Sequence, residues 1–173
     1  MEIIYADPPW NYTATGQSIP SRNKKGQPYN AMRMIDIYDY ELPETADDCI
    51  LFLWSTSPLL PEAIYCIKRW GFEYKTIAFT WIKKNKKQNT NFWGMGSWTR
   101  SNAEYCLLGI KGKPKSISHS VHSVIESPIE EHSKKPDIIR DKIVELCGDK
   151  KRIELFSRKK VEGWECIGDQ LII

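Results

Sequence analysis

Directly behind the apolar run Glu2–Ala6 stands the tetrapeptide Asp7-Pro8-Pro9-Trp10, a carboxylate followed by two prolines and an indole. A residue before proline is pushed toward extended conformations, and each proline has a fixed φ and no N–H. The segment therefore reads as a buried strand ending in a stiff elbow that cannot fold onto itself as a normal turn, its carbonyl oxygens left free. Such an elbow suits a weakly nucleophilic amine. The exocyclic N6 of adenine has two hydrogens and a lone pair delocalised into its ring. The Asp7 carboxylate and the Pro8 carbonyl can each accept one N–H, which draws the nitrogen toward tetrahedral geometry and aims its lone pair at an incoming methyl. Trp10 can stack on the base, a contact worth about 1–3 kcal/mol and indifferent to sequence. A base inside a duplex must be flipped out to reach this pocket. The amine attacks a sulfonium methyl directly, so no cysteine nucleophile is needed, and no Pro-Cys pair is present. The tetrapeptide alone is also compatible with a proline-rich turn anchored by a buried tryptophan.

The second chemical feature is clustered charge. Net charge is only +3, yet Arg22-Asn23-Lys24-Lys25, Lys83 to Lys87, Lys111 to Lys115 and Arg158-Lys159-Lys160 are basic blocks beside expected turns, while acidic residues gather in Asp36–Asp48. Taken singly these are solvated loops; together they suggest a surface for a polyanion. Lys83 and Arg100, with the interleaved Trp93 and Trp98, are candidates for gripping such a substrate.

These groups need elements to hold them. Cys49–Trp54, Thr76–Ile82, Glu104–Ile110 and Arg152–Phe156 are apolar or β-branched runs of strand length. Pro61–Trp70 and Pro136–Cys147 carry helical spacing, each opened by proline and stopped by Gly71 or Gly148. Residues 17–30 and 83–102 read as long loops, Ser116–Val124 as a polar extended segment, and Trp164–Ile173 as a closing hairpin. Strands alternating with helices predict an α/β, Rossmann-like sheet, mostly parallel with an antiparallel edge hairpin and helices on both faces. Ligands of such sheets bind at the carboxyl ends of the strands, where Asp7 and Phe156-Ser157-Arg158 fall.

The 173 residues fit a single domain, 1–173, able to bury roughly two-thirds of its unfolded surface. No transmembrane run or signal peptide is legible. Five scattered cysteines without a Cys-x-x-Cys pair suggest buried thiols in a reducing cytoplasm. His119 and His122 lack companions at ligand spacing, so no metal is expected, and His132 is expected to order the loop before Lys135.

The order of these segments resembles the β-class amino-methyltransferases, specifically the family containing the catalytic subunit of the eukaryotic mRNA N6-adenosine methyltransferase. Asp7-Pro8-Pro9-Trp10 resembles its catalytic motif, Tyr29-Asn30-Ala31-Met32 its Tyr-x-x-Met segment, and Cys49–Trp54 its Leu-Phe-Leu-Trp strand. Trp70-Gly71-Phe72, Trp81-Ile82-Lys83, Gly96–Arg100, His132–Asp137, Arg152–Arg158 and Gly168-Asp169-Gln170 follow in family order, the catalytic motif preceding the cofactor motif. The resemblance implies S-adenosylmethionine as cofactor, met by the strand end Glu154, Leu155, Phe156 and Arg158. It implies that Lys135 reaches the methionine carboxylate and that Asp169 and Gln170 hold the adenosine end. Asp7 would additionally favour the sulfonium by charge. Tyr29 joins Trp10, Lys83, Trp98 and Arg100 on the substrate side. Asp169 stands where family members usually carry Asn.

The expected activity is methyl transfer to adenine N6 in nucleic acid, DNA before RNA because the chain resembles compact bacterial or phage members. An RNA enzyme, a noncatalytic nucleic-acid-binding partner subunit and a small-molecule amine methyltransferase are the rival readings. A homodimer or a second subunit is plausible for reading sequence.

Overall fold

The computed structural model describes residues 1–11, 31–96, 98–131 and 133–168. Its centre is one seven-stranded sheet. Strand β1 (Ile3–Ala6) lies between β2 (Cys49–Thr56) and β6 (Arg152–Leu155), parallel to both. Both faces of β1 are covered, which is why it reads as a continuous apolar run without alternation. Ile4 and Ala6 join one core with Leu51 and Leu53, while Ile3 and Tyr5 join the other with Phe52 and Trp54.

Helices close the two faces separately. On the first, α1 (Met34–Tyr38) contributes Ile37 and α2 (Leu60–Arg69) contributes Ala63, Cys66 and Ile67. On the second, α3 (Ile138–Cys147) contributes Ile139, Ile143 and Cys147, the helical stripe expected from the sequence. The 3₁₀ turn Ser57–Leu59 leads into α2. Gly148, at φ 87°, ends α3 in a backbone conformation that side chains disfavour.

The far half of the sheet runs β2, β4 (Glu104–Lys111), β3 (Glu73–Lys84) and β5 (Val124–Pro128). β4 is antiparallel to both β2 and β3, and β5 is parallel to β3. The antiparallel hairpin thus sits one strand inside the edge, because β5 covers β3. A register shift between Tyr74 and Thr76 falls just before the run legible as a strand, Thr76–Ile82, and a second lies inside it between Ile77 and Phe79.

One expectation is corrected. Within the described residues of the C-terminal segment, β7 (Glu165–Ile167) pairs parallel to β6 and not as the antiparallel arm of a hairpin with it. Phe156, at φ 60°, turns the chain off the sheet, so it loops over residues 156–164 before re-entering in the same direction. Ser157 N–H then donates to the Ile167 carbonyl at 2.9 Å. Gly168 completes that closure, because a Cβ there would lie 2.1 Å from the Ser157 carbonyl oxygen. Tyr29, His132, Asp169 and Gln170, most of the loop 11–30, and Ser97 lie outside the described residues.

Candidate active site

The elbow leaves the sheet where Ala6, the last residue of β1, pairs with Leu53 and Leu155. Two of its expected properties change in the structure. Trp10 N–H donates to the Pro8 carbonyl at 2.8 Å, so the elbow does close a tight turn despite its prolines, through the first N–H that follows them. That carbonyl keeps a second lone pair for a ligand. Trp10 itself is only 6% exposed, and its indole N–H donates to the Trp54 carbonyl at 2.9 Å. With its polar edge spent on β2, Trp10 anchors the elbow and is not an open stacking platform. Pro9 adds to the anchoring, its carbonyl accepting the Met32 N–H at 3.0 Å.

A chain of alternating charges converges on Asp7. Lys135 Nζ donates to Asp7 Oδ2 at 2.9 Å and lies 3.2 Å from Glu104 Oε2. Glu104 Oε1 in turn accepts from Lys83 Nζ at 2.5 Å. Trp54 and Trp81 flank the two ammonium groups, 5.5 Å and 5.2 Å from ring centroid to Nζ, so the pairs are shielded by aromatic faces. Burial pushes the Asp7 carboxyl above its ordinary value, against the pull of Lys135. Burial acts the same way on Glu104, but Lys135 and Lys83 together outweigh it and hold that carboxyl below its ordinary value. Lys135, although burial opposes its charge, is driven up by Asp7 and Glu104 and stays protonated.

The topology explains how these four residues meet. Asp7 follows β1, Lys83 lies near the end of β3, and Glu104 opens the antiparallel β4 at that same end of the sheet. Lys135 arrives from the segment preceding α3. Glu104 was legible in the sequence only as the head of a strand. The signal that could have found it is a carboxylate opening one strand of a hairpin whose other strand ends in lysine.

Other expected site residues are redistributed. Glu154 is 7% exposed, and both its oxygens accept from Arg140 on α3, at 2.7 and 2.8 Å. Strand alternation points it at the α3 face, where it has no free oxygen edge to offer a cofactor. Leu155 is fully buried in the core and can present only backbone. Phe156 is half-buried and packs its ring 4.8 Å from that of Tyr40. Arg158 lies close enough to Asp7 to draw its carboxyl downward. Lys83, expected on the substrate, has its ammonium committed to Glu104. Arg100 donates from Nε to the Gly94 carbonyl at 2.7 Å and from Nη2 to the Trp93 carbonyl at 3.1 Å, bracing its own loop. Trp98 is 99% exposed.

A second ion network ties the segment carrying Lys135 to the loop after β6. Asp137 accepts from Arg140 at 2.6 Å and Lys159 at 2.9 Å, and lies 3.3 Å from Lys134. Burial opposes the charge of its carboxyl, but Lys159, Arg140 and Lys134 bring it down to about 2. Four of the five cysteines are buried and all five are free. Burial pushes the thiols of Cys49 and Cys147 up to about 11 and that of Cys66 up to about 12, as inert core residues require.

A carboxylate on a proline elbow at the carboxyl end of a central parallel strand, with a buried lysine against it, stands on a Rossmann-like sheet of the methyltransferase type. Comparison with known proteins agrees. The MT-A70 family model matches residues 1–170. The chain is 33% identical to Type II methyltransferase M.MunI of a Mycoplasma species, across 95% of this chain and 75% of that one. It is 30% identical to the human N(6)-adenosine-methyltransferase catalytic subunit METTL3, across 98% of this chain but only 28% of that protein. A Medicago truncatula protein, putative N(6)-adenosine-methyltransferase MT-A70-like, is also 30% identical and matches over 26% of its own length. The chain thus spans about a quarter of these plant and human relatives. It belongs to the MT-A70 family of adenine N6-methyltransferases.

Proposed function

We propose that the protein transfers a methyl group from S-adenosylmethionine to the exocyclic N6 of adenine in DNA. The observation that carries this reading is the Asp7 carboxylate held 2.9 Å from Lys135 Nζ where the elbow leaves β1. The residues present fit the cofactor's charges. Asp7 offers an anion for a sulfonium, Lys135 a cation for a carboxylate, and both stand beside the adjacent parallel ends of β1 and β6 where a crevice forms. Asp7, Lys135, the backbone at Leu155 and Phe156, Arg158, and Asp169 with Gln170 are the groups assigned to hold it. When bound, S-adenosylmethionine supplies an electrophilic methyl whose bonding pair departs with sulfur.

The chain's own residues then have three tasks. Asp7 and the second lone pair of the Pro8 carbonyl accept the two N–H groups of the amine and orient its lone pair. Lys135 keeps Asp7 ionised before transfer, so that the carboxylate is an acceptor. Asp7, with its raised proton affinity, is then placed to receive the proton that the methylated nitrogen sheds. Nothing covalent forms on the protein.

DNA is favoured over RNA because the similarity to the type II methyltransferase spans three-quarters of that protein. RNA is the second reading, carried by the N(6)-adenosine-methyltransferases, which match over about a quarter of their length. Tyr29, Trp98 and the basic loops are the groups we assign to polymer contact. The five free cysteines, four of them buried, support work in a reducing cytoplasm. The test is transfer of labelled methyl to duplex DNA, single-stranded DNA, RNA oligomers and free nucleosides. Transfer confined to DNA and abolished by Asp7→Ala supports the reading; transfer to RNA alone selects the second, and transfer to nucleosides alone overturns both.

A further inference from the structure

The loop between β3 and β4 is closed by one side chain. Trp81 and Glu104 form the last rung of the antiparallel ladder, and the same register continued two positions further would set Lys83 against position 102. The backbone has left the sheet by then, and the carboxamide of Asn102 makes the rung in its place. Its Oδ1 accepts the Lys83 N–H at 2.9 Å, and its Nδ2 donates to the Lys83 carbonyl at 2.9 Å. The same Nδ2 donates to the Phe92 carbonyl at 2.5 Å, and the Phe92 N–H donates to the Lys83 carbonyl at 2.9 Å. Lys83 is therefore fixed at its backbone by the loop and at its ammonium by Glu104. Trp93, Met95 and Trp98 are exposed on that loop, and Arg100 binds it to itself through the Trp93 and Gly94 carbonyls.

We propose that Asn102 is a positioning residue that couples the loop 85–103 to the reacting centre. Contact with a substrate at the loop reaches Lys83 through the carboxamide, and reaches Asp7 from Lys83 through Glu104 and Lys135. The inner part of that path is electrostatic. Glu104 is shared between Lys83 and Lys135, and Lys135 between Glu104 and Asp7, so withdrawing Lys83 makes Glu104 compete harder for Lys135 and leaves Asp7 less well compensated. The carboxamide satisfies three backbone groups at the root of the exposed loop, next to the lysine that begins the charge chain. The inference rests on the methyltransferase reading above.

The test is a double-mutant cycle on methyl transfer by the full chain, with DNA and RNA oligonucleotides as substrates. Asn102→Ala and Lys83→Met should each lower kcat about tenfold while moving the KM for S-adenosylmethionine less than about threefold. Both should shift the acid limb of the kcat–pH profile upward, which a merely structural defect does not do. Together they should cost little more than either alone, because they break one pathway. Asn102→Asp, which cannot donate to Lys83 or Phe92, should be at least as impaired as Asn102→Ala. Should Asn102→Ala fail to fold, Lys83→Met carries the test alone, since it leaves the backbone rung intact. An unmoved kcat and acid limb in Lys83→Met, multiplicative losses in the double variant, or an effect confined to the oligonucleotide KM overturns the inference. No transfer by the unaltered protein overturns the functional reading and the inference together; transfer with kcat unchanged in Asn102→Ala overturns the inference alone.

Discussion

Lys135 Nζ stands 2.9 Å from Asp7 Oδ2 although the two residues are 128 positions apart, and it lies 3.2 Å from Glu104 as well. One ammonium thus compensates two carboxylates at the end of the sheet. Lys135→Met removes it while keeping the stem. Taking one partner from a buried ion pair costs about 3–5 kcal/mol, so the variant should melt well below the unaltered protein. Its kcat should fall at least about a hundredfold, the scale on which preorganised charge contributes to catalysis. The acid limb of its pH profile should move up as Asp7 and Glu104 hold protons more tightly. A variant that retains full kcat would remove Lys135 from the mechanism.

Asp7 carries the opposite stability sign. Its folded carboxyl binds a proton more tightly than the unfolded one, because burial outweighs the attraction of Lys135. Stability is therefore lost as pH rises from the ordinary 3.8 through the raised folded value, and the cost persists at neutral pH. Asp7→Asn removes it without orphaning Lys135, whose ammonium keeps Glu104 as its ion partner. The variant should melt higher than the parent at pH 7.5, by about 2–4 °C for each kcal/mol recovered, and should transfer no methyl group. The gap should narrow below the ordinary 3.8, where both states of the parent are protonated. A lower melt at neutral pH would show that the ion pair outweighs burial after all.

How much of this was legible in sequence follows from range. β1, β2, β4 and β6 showed as apolar runs, and α2 and α3 showed by spacing and by their proline and glycine ends, because those signals are local. β5 did not, since its pattern is half-exposed on an edge and closes on Pro128. The five-residue α1 was hidden in an acidic stretch with no cap to mark it. The elbow was legible because prolines constrain the backbone wherever they stand. The charge chain behind Asp7 was not, because Lys135, Glu104 and Lys83 come together only through the order of the strands. Glu154 misled for a related reason: its place at a strand end suggested the site, but strand alternation sends its side chain to α3.

Glu154 and Arg140 give a direct check of that correction. With both oxygens held by Arg140 and almost no exposure, Glu154 acts as a strut between β6 and α3. Glu154→Gln should leave Arg140 partly unpaired and destabilise the fold by about 3–5 kcal/mol, read in chemical denaturation. The KM for S-adenosylmethionine should change little in the folded fraction. A large rise in that KM with an unchanged melt would return Glu154 to the cofactor.

Trp98 is the clearest surface prediction, because a tryptophan 99% exposed leaves its whole indole available to a ligand. Single exposed apolar residues are ordinary, yet this one shares a loop with Trp93, Met95 and a run of lysines. Stacking a base on an aromatic side chain contributes about 1–3 kcal/mol, so Trp98→Ala should raise the oligonucleotide KM by about five- to 150-fold. The melt should stay within about 0.5 kcal/mol of the parent, as expected for a surface change away from any packed feature. Trp98→Phe should recover most of the binding, since it keeps a π-face. The loss should hold equally for different sequences around the target adenine, because stacking reads no base edge. If Trp98→Ala binds oligonucleotides as the parent does, the loop 85–103 is not the surface that receives the polymer.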